Sequence, residues 1–566
     1  MNLQIIAGPS GAGKSTYIYR RIVDEAQQNP KKHYLILVPL QYSMQTQRIL
    51  VFLHPRRSIM NIDVLSFERL AYRVFDELGT KKTQCLDETG KVLLLRHAAA
   101  LIQDDLGILR RNIGRRGYID EVKSLISELM QYGYTPDDVA DMASGDLPST
   151  FREKAEDIEK LYREFLALLD ESMFTQEQVL SLLCEVADRS ELLRDSVIVL
   201  DGYTGFTPVQ KELLGRIFPL VDTVYACITC DPDTDLYNEG SEEGLFHMSR
   251  EESSFLISLA GEHLCDPVII DRGQGRFTDS AEMAFLEEHI FREDGSTMSL
   301  SGGVKENGLC DTAVNLIRTR NVNTELLYTA EKIHELVRTE KGLHYRDIAV
   351  VCPDVEAYRY SIERVYAASG IPVFLDERKQ TQFNPLTELV DAALDMVKRR
   401  LSYEIVMRFL RSGLTPLTVD ETDILDDYLY EAAFRNTTYL SKPFVRHTQD
   451  FHREEDLEKV EAIRVKLAEP LMRFYDAEKS KTATVTQRLT ALFGLLTDFD
   501  VERKLHERAS SKEEAGDMVS ADLYRRMYGF LCDLSDQMVS LLGDERMNVS
   551  DFRDPEKFFR IPCNQQ

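Results

Sequence analysis

A glycine-rich segment close to the first residue has the composition and spacing that can hold a phosphate group. It reads Gly8-Pro9-Ser10-Gly11-Ala12-Gly13-Lys14-Ser15 and fits the pattern G-x4-G-K-[ST]. An apolar run at 3–7 precedes it and an amphipathic stretch follows from Thr16, which indicates a strand, a loop and a helix. Backbone N–H groups of such a loop point at a polyphosphate, and the helix turns its positive dipole end toward the anion.

Two side chains at the end of this segment add the chemistry of a nucleotide site. Lys14 can reach the terminal phosphates, and the Ser15 hydroxyl can join the ligands of a magnesium ion. We therefore predict ATP and Mg²⁺ as cofactors; the alternative is a glycine-rich turn without a ligand. The predicted nucleotide-binding residues are Gly8, Pro9, Ser10, Gly11, Ala12, Gly13, Lys14, Ser15 and Thr16.

A second element of a nucleotide site is an apolar strand that ends in a magnesium-binding Asp, usually followed by a Glu that activates water. The best candidate is the strand at 197–200 followed by Asp201, which we predict to act on Mg²⁺ together with Ser15. The next residue is Gly202, which cannot orient or deprotonate water. We therefore predict tight nucleotide binding with weak hydrolysis. The alternative for Asp201 is a turn former at the end of a strand.

The composition limits the class of protein. The 566 residues predict several domains, and 43% hydrophobic with 29% charged residues is an ordinary globular balance. No apolar stretch reaches 18 residues and the N-terminus leads directly into the first predicted strand, so we expect no membrane span, signal peptide or transit peptide. The net charge of −27 argues against a protein that coats nucleic acid, but it leaves a DNA motor possible.

The nine cysteines are scattered, which suits reduced thiols in a cytoplasm, so we expect a cytoplasmic protein. Cys227 and Cys230 form one C-x2-C pair without a second pair nearby, and we interpret them as free thiols rather than a zinc or redox site.

The first half of the chain alternates strands and helices, which predicts an α/β fold with a parallel sheet covered on both faces. From about 86 to 190 the strand signal disappears and apolar residues recur at helical spacing, which predicts an inserted helical subdomain. The predicted strands are 3–7, 34–38, 62–65, 197–200 and 223–228, and the predicted helices begin at Lys14, Gln41 and Phe67.

In the second half of the chain, the Gly/Ser-rich composition at 292–309 predicts a linker, and the pattern after it predicts another βα run. Its predicted elements are a strand at 313–318, a helix at 324–341, a strand at 348–351, a helix at 355–368 and a strand at 372–374. Beyond about 385 the pattern is helical to the end.

Residues 201–210 resemble a motif of superfamily 1 helicases of the UvrD/RecB type. These helicases carry D-E-[FY]-Q-D-x-x-x-x-Q where this chain has Asp-Gly-Tyr-Thr-Gly-Phe-Thr-Pro-Val-Gln. Asp201, Tyr203 and Gln210 match in register, whereas the Glu, Gln and Asp of the motif are replaced by Gly202, Thr204 and Gly205. The segment at 64–71 resembles the T-F-H-x-L-A motif, and 344–351 with 368–373 resembles the start of a second motor domain.

Taken together, the sequences of these motifs resemble those of the AddB subunits of AddAB (RexAB) helicase–nucleases. The resemblance extends over residues 1 to about 550. The resemblance implies a P-loop, RecA-like fold and a heterodimer with an AddA-type helicase–nuclease subunit. It also implies work on DNA ends and single-stranded DNA in recombination repair of double-strand breaks, with recognition of the Chi sequence. The motor of AddB is helicase-like but degenerate, so its ATP hydrolysis is expected to be weak.

The resemblance also implies a domain plan. It places a first RecA-like domain (1A) at 1–85 and 190–291, a helical insertion (1B) at 86–189 and the linker at 292–309. A second RecA-like domain (2A) begins at 310–384, and a helical insertion (2B) occupies 385–566.

Several motifs of the helicase and nuclease family are missing from this sequence. We find no T-x-H-x-x-K-G-L-E-like or V-A-x-T-R-A-like motif, and no nuclease signature. The family's full-length proteins carry an iron–sulfur cluster, but Cys532 and Cys563 do not supply its four-cysteine spacing. We therefore expect the chain to end within 2B, as a fragment or a truncated frame, without nuclease activity.

By position in such a fold, Gln41, Ser66 and Phe67 are the predicted DNA contacts. For Phe67, packing in the core is an equal alternative. The Arg110-Arg111 and Arg115-Arg116 cluster could contact phosphates, although an exposed turn or a partner contact is favoured. The helix dipole alone can explain Lys398-Arg399-Arg400.

Two competing functions remain at this point. A free-standing ATPase or helicase conflicts with Gly202 and with the missing downstream motifs. A small-molecule kinase also opens with a phosphate loop, but it does not explain the chain length, the second βα run or the segment at 64–71.

Overall fold

A computed structural model describes most of the chain as two compact units. The first unit comprises Met1–Leu86, Asp104–Asn112 and Glu121–Ile317, and the second comprises Asp87–Gln103, Ile113–Asp120 and Arg318–Gln566. The described residues are 2–79, 84–113, 117–145, 148–169, 173–238, 240–272, 275–292, 294–298, 312–375, 384–398, 401–433 and 442–546.

A six-stranded parallel sheet organises the first unit, with strand order β3-β2-β6-β7-β1-β8. A separate two-stranded parallel sheet is formed by β4 and β5. The strands are β1 (Asn2–Gly8), β2 (Tyr34–Leu37), β3 (Ile62–Leu65), β4 (Gln84–Leu86), β5 (Met173–Thr175), β6 (Val197–Leu200), β7 (Thr223–Thr229) and β8 (Val268–Ile269).

The central strands are buried on both faces, because helices cover both sides of a parallel sheet. In β1, Leu3 and Ile5 pack into one hydrophobic core, whereas Ile6 packs into the core on the other face. This alternation follows from the two-residue repeat of a strand. It fixes the register of β1 against β7, in which Gly8 lies opposite Thr229.

Helices of the first unit cover this sheet, and other helices build the second unit. No helix in the described ranges is long and apolar enough to cross a membrane. The helices are α1 (Lys14–Gln28), α2 (Ser43–Leu53), α3 (Phe67–Leu78), α4 (Glu88–Leu101), α5 (Tyr118–Gln131), α6 (Pro136–Ser144), α7 (Ser149–Leu168), α8 (Gln178–Val186), α9 (Pro208–Ile217), α10 (His247–Ala260), α11 (Ala281–His289), α12 (Val322–Thr339), α13 (Val355–Ala368), α14 (Pro385–Lys398), α15 (Tyr403–Leu410), α16 (Val419–Glu431), α17 (Glu454–Lys479), α18 (Val485–Asp498), α19 (Val501–Glu514) and α20 (Met518–Leu542).

The predicted α/β class with a parallel sheet is confirmed. The strands at 62–65 and 197–200 and the helix at 355–368 have the predicted bounds. The helix predicted from Gln41 begins at Ser43, because Leu40–Tyr42 form a 3₁₀ turn first.

Four local predictions are wrong. The region from 86 to 190 contains β5, a three-residue strand too short to show a periodic pattern. No strand forms at 313–318, 348–351 or 372–374, although the structure describes all three segments. Their apolar side chains are largely exposed, including Leu316, Val351 and Phe374. An apolar run becomes a strand only when another strand pairs with it, and no pairing partner lies among the described residues.

The second unit is helical in its described part from 384 onward, apart from short connecting segments, as predicted. Its large core is built by helices α14 to α20, and Leu93 of α4 packs into the same core. This packing explains why Asp87–Gln103 belongs to the second unit, whereas the predicted insertion 1B begins at residue 86. Of the predicted linker, 294–298 has neither helix nor strand, and 293 and 299–309 lie outside the described residues.

Phe67 tests the packing of the core that also contains Leu3 and Ile5. Its side chain is 1% exposed and packs against the rings of Tyr203 and Phe206. Phe67→Ala should lower the free energy of unfolding of the first unit by about 3–5 kcal/mol, because it leaves a cavity in a packed interior. Denaturant titration of the full chain measures this loss. The control Phe52→Ala removes an exposed ring and should change it by less than about 1 kcal/mol. Equal effects of the two substitutions would contradict this packing.

Candidate phosphate-binding site

The glycine-rich loop connects the carboxyl end of β1 to the first turn of α1, as predicted. Gly11 and Gly13 take positive φ angles of 74° and 102°, a region that side chains with a Cβ rarely enter. Gly13 is the residue immediately before α1. The loop therefore turns sharply into a helix of 15 residues whose first N–H groups have no partner within the helix.

Lys14 lies inside this loop and contacts its backbone. Its ammonium group donates hydrogen bonds to the carbonyl oxygens of Gly8 at 2.8 Å and Pro9 at 2.9 Å. Burial lowers the pKa of Lys14, while nearby thiols and the carboxyl groups of Asp201 and Glu287 oppose that change. Both hydrogen-bond acceptors are neutral carbonyl groups, so this buried cation is suited to an anionic ligand.

Asp201 approaches the loop from across the sheet. It follows β6, which is separated from β1 by β7, so the two segments lie at the same carboxyl edge. The Ser15 hydroxyl donates a hydrogen bond to Oδ1 of Asp201 at 3.1 Å. The Asp201 carboxylate is 7% exposed, and its backbone N–H donates to the carbonyl of Leu37. The structure thus brings together the two residues predicted to act on Mg²⁺.

Sequence reasoning missed Tyr19, which holds the other oxygen of this carboxylate. Its hydroxyl donates to Oδ2 of Asp201 at 2.6 Å and lies 3.3 Å from the hydroxyl of Thr46. Burial and the adjacent Asp201 raise the pKa of Tyr19 well above its ordinary value, so the phenol remains a proton donor. The i, i+4 spacing from Ser15, which places both residues on one face of α1, was the signal that could have revealed it.

A segment after β8 packs against the outer side of the loop, which the sequence did not reveal. The N–H of Arg276 donates to the carbonyl of Gly11 at 2.8 Å. A Cβ on Gly275 would lie 2.7 Å from that same carbonyl oxygen, so only glycine fits there. The ring of Phe277 lies so close to Gly11 that a Cβ there would approach it to 2.8 Å. These contacts support the loop without using its N–H groups.

An ion-pair network holds this supporting segment to the rest of the first unit. Arg272 contacts Asp231 at 2.5 Å and Glu287 at 2.9 Å, and Arg292 contacts Asp231 at 2.8 Å. All four side chains are at least two-thirds buried, so these pairs are better shielded from solvent than surface pairs. Two guanidinium groups and two carboxylates leave the network close to neutral.

Gly202 takes a left-handed conformation with φ of 79°. A Cβ at this position would lie 3.4 Å from Pro39 and 3.6 Å from Tyr42, so the backbone angle rather than space restricts the residue. A Glu at 202 would therefore require a strained backbone. The backbone conformation after Asp201 therefore favours glycine at position 202.

The other two residues that match the helicase motif, Tyr203 and Gln210, stabilise the fold through ring packing and a helix cap. Tyr203 packs against Phe67 and Phe206. The side-chain oxygen of Gln210 accepts a hydrogen bond from the N–H of Thr207, and the hydroxyl of Thr207 accepts one from the N–H of Gln210. This reciprocal pair caps the amino end of α9.

The three predicted DNA contacts differ in their exposure. Ser66 is buried, and its hydroxyl caps α3 by accepting a hydrogen bond from the N–H of Arg69. Phe67 lies in the core, which favours the packing alternative over contact with a base. The side chain of Gln41 is exposed, next to the exposed Leu40 and Tyr42.

The remaining predicted clusters contribute little to this site. Arg110 and Arg111 are exposed, and Arg110 pairs with Asp104 on the surface. Arg115-Arg116 and Arg399-Arg400 lie outside the described residues. Cys227 and Cys230 are free thiols that pack into opposite cores of the sheet, and burial raises the pKa of each.

The residues present fit a magnesium–nucleotide complex. The Ser15 hydroxyl and the Asp201 carboxylate are oxygen ligands of the kind that Mg²⁺ prefers alongside phosphate oxygens. Within the part of the chain that the structure describes, no group of three or more His, Cys, Asp or Glu side chains could hold a metal ion. A magnesium ion at this site would take its other ligands from phosphate oxygens and water.

Comparison with known proteins identifies the family. A family model described as ADDB, N-terminal matches residues 5–287, which is half of the chain. The chain belongs to the AddB family. The curated relatives include an ATP-dependent helicase/deoxyribonuclease subunit from Lachnoclostridium phytofermentans, 32% identical over 98% of this chain and 48% of the relative.

Proteins of the same name from Thermoanaerobacter sp. and Clostridium novyi are 27% and 25% identical over 98% of this chain. The chain spans about half the length of the curated relatives it matches, 48% and 47% in these two cases.

Gly202→Ala tests the conformational demand at the end of β6. The substitution should lower the free energy of unfolding by about 1–2 kcal/mol, because alanine resists a positive φ angle. Gly202→Asn should lower it less, since Asn enters this region more readily. Thermal or denaturant unfolding of the full chain measures both.

The matched control is Gly215→Ala, within α9, where the new methyl group would have no neighbour closer than 3.9 Å. That substitution should stabilise the unit by up to about 1 kcal/mol through helix propensity. If both alanine variants shift stability in the same direction, the assignment of strain to Gly202 is wrong.

Proposed function

We propose that this chain is the nucleotide-holding, helicase-like part of one subunit of an ATP-dependent helicase–deoxyribonuclease. In this proposal Gly8 to Thr16 hold ATP in a P-loop of RecA-like type, and Ser15 with Asp201 orient its magnesium ion. Hydrolysis by this chain alone is slow. The mechanical work is done by a partner subunit.

The observation that carries the proposal is the hydrogen bond between Ser15 and Asp201 beside the buried Lys14. A glycine-rich turn without a ligand has no need of a buried cation or of a carboxylate brought from another strand. Lys14 and Asp201 attract each other, but the side-chain hydrogen bonds of both go to neutral groups, so their burial stays costly without a ligand. The alternative without a ligand is therefore disfavoured.

Mg²⁺ bound with ATP would neutralise phosphate charge and orient the phosphates. The chain's own residues do the rest: loop N–H groups and Lys14 bind phosphate oxygens, and Ser15 and Asp201 keep their oxygens toward the metal. Gly202 provides no carboxylate to position a water molecule. Loss of such a group generally lowers the rate by about 10²–10⁴-fold, which supports binding with weak turnover.

The exposed turn at Leu40–Tyr42 supports a contact with single-stranded DNA. It follows β2 at the carboxyl edge of the sheet and presents the amide of Gln41 next to the ring of Tyr42, which is 45% exposed. Amide groups can hydrogen-bond to bases or phosphates, and aromatic rings stack on bases without sequence preference. The turn also lies against Gly202, so this proposed contact adjoins the nucleotide carboxylate.

The partner and the substrate are proposed from the relatives' names and from the resemblance. A protein named as one subunit of a helicase/deoxyribonuclease implies another subunit, and we propose an AddA-type helicase–nuclease. Binding of DNA ends, recognition of Chi and a role in double-strand break repair follow as proposals for the whole complex. Co-purification of this chain with such a subunit tests the partnership, and two independent proteins on a sizing column would contradict it.

Lys14→Ala tests nucleotide binding directly. Titration of the full chain with a fluorescent ATP analogue in Mg²⁺ should give saturable binding, and the variant should bind at least about tenfold more weakly because it loses a charge-assisted contact. The control Lys32→Ala removes a cation of the same unit that pairs with Asp222 on the surface. It should bind as the unchanged chain does. Absence of saturable binding to the unchanged chain would refute the proposed function.

Tyr42→Ala and Gln41→Ala test the DNA contact. Tyr42→Ala should weaken binding of a fluorescent oligothymidine by about 1–3 kcal/mol if the ring stacks on one base, and Gln41→Ala should have a smaller effect. Fluorescence anisotropy at fixed salt measures both. The control Tyr237→Ala removes a similarly exposed ring of the same unit and should have no effect. An equal loss in Tyr237→Ala and Tyr42→Ala would argue against a contact at this turn.

A further inference from the structure

Both oxygens of the Asp201 carboxylate are engaged from the same face of α1. Ser15 reaches Oδ1 at 3.1 Å, and Tyr19, one turn further along the helix, reaches Oδ2 at 2.6 Å. Tyr19 and Asp201 are 3% and 7% exposed, so water does not compete freely for these hydrogen bonds. The shorter of the two contacts is the one made by the phenol, which has no part in the phosphate-loop pattern.

The hydroxyl of Tyr19 is itself held in place. It lies 3.3 Å from the hydroxyl of Thr46 on α2, which is also buried. A phenol has one hydrogen to donate and gives it to Asp201, so Thr46 is the donor to Tyr19. A directional chain therefore runs from Thr46 through Tyr19 to Oδ2.

We propose that Tyr19 is a positioning residue whose short hydrogen bond makes Oδ2 of Asp201 a poorer cation ligand than Oδ1, and that this makes the site selective for Mg²⁺ over Ca²⁺. This inference rests on the proposed function, since it concerns the metal that accompanies the nucleotide. Tyr19 acts through Asp201 and does not contact the nucleotide.

The two cations differ in the carboxylate geometry that they accept. Mg²⁺ requires a near-ideal octahedron and takes few protein oxygens, whereas Ca²⁺ accepts six to eight oxygens and readily binds both oxygens of one carboxylate. A carboxylate with one oxygen held by a phenol suits the first ion. Removing the phenol hydroxyl frees Oδ2 for two-oxygen binding, which favours the second.

Tyr19→Phe in the full chain tests this inference, because it removes the hydroxyl and keeps the ring in the core. The affinity for a fluorescent ATP analogue is measured in Mg²⁺, in Ca²⁺ and in EDTA. The ratio of the Mg²⁺ to the Ca²⁺ affinity should fall about tenfold, the size expected for one hydrogen bond to a charged group. The affinity in EDTA should stay within about twofold, since no phosphate contact is lost.

Two further variants separate positioning from general stability. Tyr225→Phe removes a hydroxyl from the same core, where it donates to Glu25, and should leave the Mg²⁺ to Ca²⁺ ratio unchanged. Thr46→Val removes the donor behind Tyr19 and should lower the ratio less than Tyr19→Phe does. If Tyr19→Phe does not fold, an unchanged ratio in Thr46→Val overturns the inference.

The possible results distinguish this inference from the function on which it rests. An unchanged ratio in Tyr19→Phe, with metal-dependent binding by the unchanged chain, overturns the inference alone. Equal weakening in Mg²⁺, Ca²⁺ and EDTA assigns Tyr19 a merely structural role and also overturns it. Failure of the unchanged chain to bind nucleotide under all three conditions removes the proposed function, and the inference with it.

Discussion

The hydrogen bond from Ser15 to Asp201 joins segments that are 186 residues apart in sequence, and the arrangement of the site depends on it. It forms because the sheet places β7 between β1 and β6, with the carboxyl ends of all three strands at one edge. The register fixes this edge, since Gly8 lies opposite Thr229 and Leu200 lies opposite Ala226. A shift of one residue in either pairing would turn the buried side chains toward the wrong face.

Groups suited to binding phosphate lie around this hydrogen bond, but the residue after Asp201 offers no side chain that could activate water. Lys14 is buried within the loop, and the loop is supported from outside by Gly275 and Arg276. Gly202, by contrast, takes a backbone conformation that a Glu would adopt only under strain. In the proposed function this combination holds a nucleotide as a structural element of a larger complex, and the energy of ATP is released elsewhere.

Local sequence patterns predicted the parts of this structure that local physics determines. The apolar run of β1, the glycines and the helix after Lys14 need no distant partner, so their positions follow from residue type alone. The placement of Asp201 was predicted through its strand and its motif. Tyr19 could have been found from its spacing to Ser15, but no pattern indicates that a phenol, rather than a core aromatic residue, is needed there.

The remaining features depend on pairings between distant segments. The segments at 313–318, 348–351 and 372–374 have strand-like composition, yet pairing decides whether a strand forms. Gly275 and Arg276 contact the phosphate loop from a segment that carries no motif of its own. Helix α4 can be predicted from its apolar residues, but only the packing of Leu93 shows which core it joins. Such contacts cannot be predicted from periodicity in one sequence.

The fate of ATP bound to this chain tests the central claim most directly. An excess of the full chain is mixed with radiolabelled ATP and Mg²⁺, with and without single-stranded DNA, and the bound nucleotide is separated and identified over time. An enzyme of ordinary speed converts its substrate within about 0.1 s, and loss of water positioning would extend this to roughly ten seconds or longer. The account predicts that the bound nucleotide remains ATP over that period. Conversion to ADP within about a second, accelerated by DNA, would contradict it.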